Sequence, residues 1–67
     1  MSRVHELERV VVKLLQASSA KTMRFPIAVK VAVRMYGVRE ATGIRYVEAL
    51  RKHTCRLEMS SEGFSLK

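Results

Sequence analysis

The side chains in this sequence that are best suited to chemistry are cationic and hydroxylic, and several of them cluster just after Gly37. Arg39, Glu40, Thr42 and Arg45 fall within seven residues there. Arginine forms paired hydrogen bonds with guanine, and threonine can contact the methyl group of thymine. If these four residues occupy the first turns of a helix, that helix can enter the major groove of a DNA duplex. We therefore take the four as candidates for base contacts.

Cations that could contact phosphates are concentrated in one part of the chain. The formal net charge is +7, and the span from Arg9 to Arg39 holds seven basic residues and no acid, whereas the rest holds six of each. A basic excess of this size indicates a polyanionic partner, either nucleic acid or an anionic membrane surface, and we favour nucleic acid. Phosphate contacts give affinity and salt dependence with little sequence information. The phosphate-contact candidates are Lys21, Arg24, Lys30, Arg34, Tyr46, Arg51, Lys52 and Arg56. For Tyr46, a ring that closes the core is an equal alternative.

Other kinds of chemistry have little support. His53 and Cys55 form an H-x-C pair, but a structural zinc site requires four ligands, and His5 is distant in sequence. A Cys–His nucleophile would need an accompanying acid and oxyanion motif, which the sequence lacks. We find neither a glycine-rich phosphate loop nor a pair of carboxylates suited to acid–base catalysis. We therefore expect no enzymatic activity, no metal ion and no cofactor, and we expect Cys55 to be a small buried residue.

Length and composition limit the organisation of the chain. Its 67 residues are enough for one small domain, residues 1–67, and a hydrophobic content of 48% is enough for a core. No run of aliphatic or aromatic residues exceeds three, so we expect no membrane span. The polar N-terminus does not resemble a secretory signal, and the single cysteine excludes an internal disulfide, so we expect a cytoplasmic protein. The absence of Asn and the many charged residues fit a thermophile and suggest an archaeal or viral source.

Apolar periodicity predicts a helix on either side of the central segment. Residues 3–17 form an amphipathic pattern that Ser2 can cap, and residues 18–22 are expected to be a loop. Residues 39–53 form a second such pattern. Its apolar positions are Ala41, Ile44, Val47 and Leu50.

The C-terminal residues predict a β-hairpin. Cys55, Leu57 and Met59 alternate with polar residues, as do Phe64 and Leu66, and residues 60–63 provide the turn. The turn contains Glu62 and no cation, whereas a hairpin that enters the minor groove usually carries Arg or Lys. We therefore expect this hairpin to contribute core packing and little groove reading.

Residues 27–36 are compatible with two structures. Val29, Val31 and Val33 alternate with smaller or charged residues, which is typical of a strand extending over residues 23–36. Pro26, in contrast, suits the first turn of a helix, and Gly37 can supply the left-handed residue that ends one. We favour a helix that begins at Pro26 or Ile27. The strand alternative would give an α+β fold and would favour RNA binding.

The order helix, loop, helix, glycine-containing turn, helix and hairpin resembles that of the winged helix-turn-helix DNA-binding domains. The specific similarity covers 19 residues, Ala32 to Leu50. Members of that family often have Gly-Val at the turn, followed by Thr-x-x-Arg-Tyr-Leu-Glu-Ala-Leu along the next helix. The matching residues here are Thr42, Arg45, Tyr46, Val47, Glu48, Ala49 and Leu50. Gly43 departs from the family's usual Val or Ile. Either the helix is rotated so that Ile44 takes the core position, or another part of the backbone approaches Gly43 closely.

The resemblance implies a mostly α fold with a C-terminal β-hairpin, in which three helices form a winged helix-turn-helix. It also implies binding of double-stranded DNA, as a transcriptional regulator or a chromatin-type protein associated with the nucleoid. Regulators of this kind usually dimerise to read two half-sites. We expect a homodimer that uses the apolar stripe of the first helix together with Val10 and Val12. The alternative is a winged-helix protein-interaction module within a larger nucleic-acid-processing complex.

Overall fold

A computed structural model describes residues 2–67, which form three helices and one three-stranded antiparallel sheet. The elements, in chain order, are α1 (Arg3–Ala17), β1 (Thr22–Arg24), α2 (Phe25–Tyr36), α3 (Glu40–His53), β2 (Leu57–Met59) and β3 (Gly63–Leu66). Strand β3 lies in the middle of the sheet, which has the order β1-β3-β2. The chain therefore has the predicted mainly helical, winged-helix-like fold with a C-terminal hairpin.

Helix α1 has the predicted bounds and supplies much of the core. The hydroxyl of Ser2 accepts a hydrogen bond from the backbone N–H of His5 over 3.3 Å, which is the predicted N-terminal cap. Leu7, Val11 and Leu15 are buried, and so is Val12. The predicted dimer surface is therefore wrong in part, because most of the apolar stripe and Val12 are already used in the core, whereas Leu14 is exposed.

Helix α2 confirms the helical interpretation of the central segment and excludes the long strand. Pro26 lies in its first turn, and Gly37 ends it in the left-handed conformation, at φ 60°, where its N–H donates to the carbonyl of Val33. The core side of the helix is formed by Ala28 and Ala32, which are four residues apart. The alternating valines had suggested a strand, but they occupy the flanks of the helix and are half-buried.

Three residues before α2 form strand β1; the strand alternative over residues 23–36 included two of them, but the helical interpretation that we favoured included none. Strand β1 begins at Thr22, where a loop was expected, and Met23 lies opposite Phe64 on β3. A three-residue strand has too little alternation to be recognised in a sequence, since its pairing with β3 depends on residues some forty positions away.

Helices α2 and α3 pack closely where Gly43 faces α2. A Cβ atom built on Gly43 would lie 2.9 Å from Cγ2 of Val33 and 3.2 Å from the carbonyl oxygen of Val29. Gly43 is buried, whereas Ile44 is 40% exposed. Of the two alternatives for Gly43, the second is thus correct, because the backbone of another helix approaches this residue closely. The predicted apolar stripe of α3 is wrong at Ala41 and Ile44, which are exposed.

The hairpin contributes to the core, as expected, with shorter strands than the sequence suggested. Leu57 and Phe64 are buried, and the ring of Phe64 meets that of Phe25 edge-on at 5.2 Å. The backbone N–H of Phe25 donates to the carbonyl of Glu62, which ties the turn of the hairpin to the start of α2. Cys55, predicted to be buried, is exposed because it lies in the bend that joins α3 to β2.

One buried carboxylate holds that bend in place. Glu8 on α1 is only 6% exposed, and its Oε2 accepts hydrogen bonds from the hydroxyl of Thr54 and the backbone N–H groups of Cys55 and Arg56. Burial alone would raise the pKa of Glu8, but these hydrogen bonds outweigh it, and the pKa lies below its ordinary value. Glu8 thereby fixes the end of α3 relative to α1.

Candidate nucleic-acid interface

Helix α3 has a buried side and an exposed side that run along its whole length. The buried side consists of Gly43, Val47 and Leu50. Opposite to it lie exposed residues at helical spacing, which we call the outer stripe of α3: Ala41, Arg45, Glu48 and Lys52. A turn of three residues, 37–39, separates α3 from α2. An exposed helix preceded by a short turn has the shape that a major groove admits.

The four predicted base-contact residues do not share one side of α3. Arg39 is the exposed residue immediately before the helix, and Arg45 lies on the outer stripe. Glu40 lies beside α2, whereas Thr42 is half-buried. Successive helical residues are rotated by about 100°, so Glu40 and Thr42 point to opposite flanks. Of the four, Arg45 is the residue on the surface that a groove would meet.

A shallow groove separates the exposed sides of α2 and α3, and we call it the α2–α3 groove. Its apolar floor includes Val29, Val33 and Ile44. Three of the predicted phosphate-contact residues line it, namely Lys30, Arg34 and Arg51, and so do Glu40 and Glu48. The structure therefore gathers cations from two helices along one flank of α3.

The guanidinium of Arg51 is held by an aromatic ring. Its Cζ lies 4.4 Å from the ring centroid of Phe25 at the start of α2, which is a cation–π contact. The edge-on contact between Phe25 and Phe64 extends this arrangement into the core. Arg51 is thus positioned by the fold and is still exposed to solvent.

A cluster of Arg3, Glu6, Tyr36 and Tyr46 occupies the other flank of α3. Nη1 of Arg3 donates to the hydroxyl of Tyr46 over 2.7 Å, and its Cζ lies 4.9 Å from the ring centroid of Tyr36. The two tyrosine rings meet at 5.4 Å. For Tyr46 the sequence predicted either a phosphate contact or a ring that closes the core. Its ring is half-buried, and its hydroxyl is at the surface beside the guanidinium of Arg3.

Arg3 is a candidate phosphate contact that the sequence analysis missed. In the sequence Arg3 is a single cation at the start of α1, and no short-range pattern indicates that it contacts residue 46. A guanidinium has five N–H donors. One donor of Arg3 binds the hydroxyl of Tyr46, so other donors are available for a phosphate. Cations therefore lie on both flanks of the outer stripe.

Tyr36 has a structural role in the same cluster. Its hydroxyl donates to Oε1 of Glu6 over 2.7 Å and also lies 2.9 Å from the backbone carbonyl of Arg3. Burial, together with the hydrogen bond to Glu6, raises the pKa of Tyr36 to about 12. Tyr36 therefore remains protonated at neutral pH and anchors the first turn of α1 to the end of α2.

The remaining predicted phosphate-contact residues are dispersed. Lys52 belongs to the outer stripe, and Arg56 lies in the bend after α3. Lys21 borders a cleft between the end of α1 and β3, and Arg24 borders the cleft on the side of α2 away from α3. All four are exposed, but they do not join the cations of the α2–α3 groove.

Residues 2–67 offer neither a cluster of metal ligands nor a helix that could span a membrane. This part of the chain contains no group of three or more His, Cys, Asp or Glu side chains that could hold a metal ion. Among its helices, none is both long and apolar enough to cross a bilayer. The arrangement of cations around α3 is the feature of these residues with the clearest chemical use.

Comparison with models of protein families, with curated protein sequences and with solved structures finds no match for this chain.

Proposed function

We propose that this protein binds double-stranded DNA, with α3 lying in the major groove, and acts as a transcriptional regulator or a nucleoid-associated protein of the cytoplasm. The observation that carries the proposal is the placement of α3. Its outer stripe is exposed and contains Arg45, it follows a three-residue turn, and cations from α1 and α2 lie along both flanks. A helix presented in this way can insert between two phosphate backbones.

The distribution of charge supports DNA as the partner. The seven cations between Arg9 and Arg39 are not offset by any acid in that span, and both cations that α2 contributes to the α2–α3 groove belong to it. Backbone phosphates supply most of the affinity of such interfaces, and base contacts add selectivity. We therefore assign affinity chiefly to Lys30, Arg34 and Arg51, and base reading to Arg45.

The hairpin contributes little to groove reading in this proposal. Its turn is connected to the start of α2 through the hydrogen bond from Phe25 to Glu62, and its two strands have three and four residues. A turn that is short, acidic and attached to α2 does not reach into a minor groove. The RNA-binding alternative loses its basis, because it required a strand where α2 is found.

Fluorescence anisotropy with a labelled duplex tests the proposal. We expect binding that weakens steeply as the salt concentration rises from about 50 to 200 mM, since phosphate contacts release counterions. Arg45→Ala should weaken binding to a selected site about tenfold and binding to random duplex much less. Lys67→Ala removes an exposed cation outside the proposed interface, so it serves as the charge-matched control.

Absence of binding to duplex at 50 mM salt would contradict the proposal. It would favour the second candidate function, a protein-interaction module within a nucleic-acid-processing complex. That candidate is supported by one observation, the exposed apolar pair Leu14 and Ile27, which are 42% and 47% exposed.

We also propose that two copies of the chain associate through this apolar pair. Leu14 and Ile27 line one cleft together with Val31. Arg24 and Glu62, which have opposite charges, line the same cleft. In a two-fold interface the same surface of both copies meets, so Arg24 of one copy can contact Glu62 of the other. The outer stripe of α3 stays free in such a dimer, because none of its residues lines this cleft.

A further inference from the structure

The outer stripe of α3 contains an acid that a DNA-binding surface would not be expected to carry. Glu48 is exposed and lies one helical turn from Arg45. Resting on the DNA-binding function proposed above, we infer that Glu48 determines sequence specificity. Its carboxylate accepts a hydrogen bond from the amino group of a cytosine, beside a guanine that Arg45 binds.

The spacing of the two side chains fits neighbouring base pairs. Three residues of α-helix advance by about 4.5 Å, and a base-pair step advances by about 3.4 Å. The same three residues rotate by about 300°, so Arg45 and Glu48 differ by only about 60° around the helix axis. One helix can therefore present both side chains to consecutive base pairs in one groove.

The chemistry of the pair is complementary to a G and a C in the major groove. Arginine donates two hydrogen bonds to O6 and N7 of guanine, whereas a carboxylate can only accept, as the N4 amino group of cytosine requires. Ala41 lies one turn before Arg45 on the outer stripe, and its small side chain allows the helix to approach the bases closely. Within the outer stripe, Ala41, Arg45 and Glu48 thus provide a small residue, a donor and an acceptor in succession, and Lys52 follows one turn after Glu48.

The negative charge would also disfavour other sequences. A carboxylate near two phosphate backbones is repelled, and the N4 amino group of cytosine offsets this repulsion, whereas adenine places its N7 acceptor beside its amino group. Two other glutamates in the chain have partners inside the fold, since Glu6 accepts from Tyr36 and Glu8 from Thr54. Glu48, in contrast, is exposed on the surface that the proposed function places against DNA.

Selection of duplexes from a randomised library tests the inference, with the full chain compared with Glu48→Gln and Glu58→Gln. Glu58 is an exposed glutamate on strand β2, so its substitution changes the charge equally and leaves α3 intact. We expect sites selected by the unmodified chain to contain adjacent G and C. Glu48→Gln should replace that C by A, because glutamine pairs with adenine, and should lose roughly tenfold discrimination for C. Glu58→Gln should select the same sites as the unmodified chain.

Two results would overturn the inference while the proposed function stands. One is retention of C at that position by Glu48→Gln. The other is salt-dependent duplex binding by the unmodified chain without any enriched sequence. Failure of the unmodified chain to bind any duplex would instead overturn the proposed function, and the inference with it.

Discussion

Gly43 on α3 faces Val33 on α2 so closely that a Cβ atom at residue 43 would lie 2.9 Å from Cγ2 of Val33. The carbonyl oxygen of Val29 would be 3.2 Å from the same position. The distance between α2 and α3 is therefore set by the absence of a side chain at residue 43. The placement of the outer stripe depends on that distance, since α3 is held by its buried side.

We expect Gly43→Val to destabilise the protein. The Cβ atom alone would meet Val33 and the backbone of Val29, the two methyl groups of valine add further volume, and overpacking of this kind costs about 1–3 kcal/mol. Urea denaturation measures the loss in the free energy of unfolding. Ala41→Val is the matched control, because residue 41 is exposed on the same helix and the change should cost well under about 1 kcal/mol there. Equal effects of the two substitutions would contradict the close packing of α2 and α3.

Glu8 should make the stability of the protein depend on pH in the acid range. Its pKa in the folded protein is lower than the ordinary value of 4.5, so the folded state binds this proton less readily than the unfolded state. The stability that Glu8 contributes is therefore present above about pH 4.5 and is lost as the pH falls through its folded-state pKa. Glu8→Gln should flatten this dependence and cost about 2 kcal/mol at pH 7, because a charged acceptor of three hydrogen bonds is replaced. Denaturation curves between pH 3 and 7 test both effects, and an unchanged slope in the variant would contradict the assignment.

Tyr36 should ionise near pH 12 rather than near pH 10. Its raised pKa means that the stability it contributes is present below pH 10 and is lost as the pH rises toward 12. Glu6→Gln removes the charged acceptor of the tyrosine proton and should lower the pKa of Tyr36, although burial keeps it above 10. NMR titration of the tyrosine rings follows the ionisation directly. An unshifted pKa in Glu6→Gln would indicate that burial alone is responsible.

Lys30→Ala should weaken binding to all duplex sequences by a similar factor. If Lys30 contacts one phosphate, the slope of log Kd against log salt concentration should decrease by about 1. Arg3→Ala should behave in the same way, since its free donors lie on the opposite flank of α3. Binding isotherms at several salt concentrations measure the slope, with Lys67→Ala as the control. A change limited to one DNA sequence would instead indicate that Lys30 contacts bases.

Ile27→Glu should abolish the proposed self-association. The substitution places a charge in the centre of the cleft shared with Leu14, where it would be desolvated in a dimer. Ile44→Glu is the matched control, because Ile44 is also exposed but lies in the α2–α3 groove. Sedimentation equilibrium gives the dissociation constant of each variant. If the unmodified chain is a monomer at all concentrations tested, or if Ile44→Glu alone dissociates the dimer, the interface is wrong.

The sequence by itself determined the features that depend on near neighbours. The bounds of α1 follow from its periodicity and from the cap at Ser2, and the end of α2 follows from Gly37. Helix α2 begins at Phe25, one residue before the earliest predicted start at Pro26. Each of these signals acts within about one turn of helix, so local chemistry is sufficient. The sequence also predicted the hairpin and showed the concentration of cations before Gly37, because the alternation of apolar and polar residues and the charges can be counted along the chain.

Only the tertiary structure decided which side of α3 is exposed, because that depends on what Gly43 meets on another helix. It separated Glu40 from Thr42, which are neighbours in sequence but lie on opposite flanks of α3. It also placed Arg3 beside Tyr46 and strand β1 beside β3, both across about forty residues. Contacts of this range are fixed by packing of the whole core, whereas sequence periodicity reports only on residues a few positions apart.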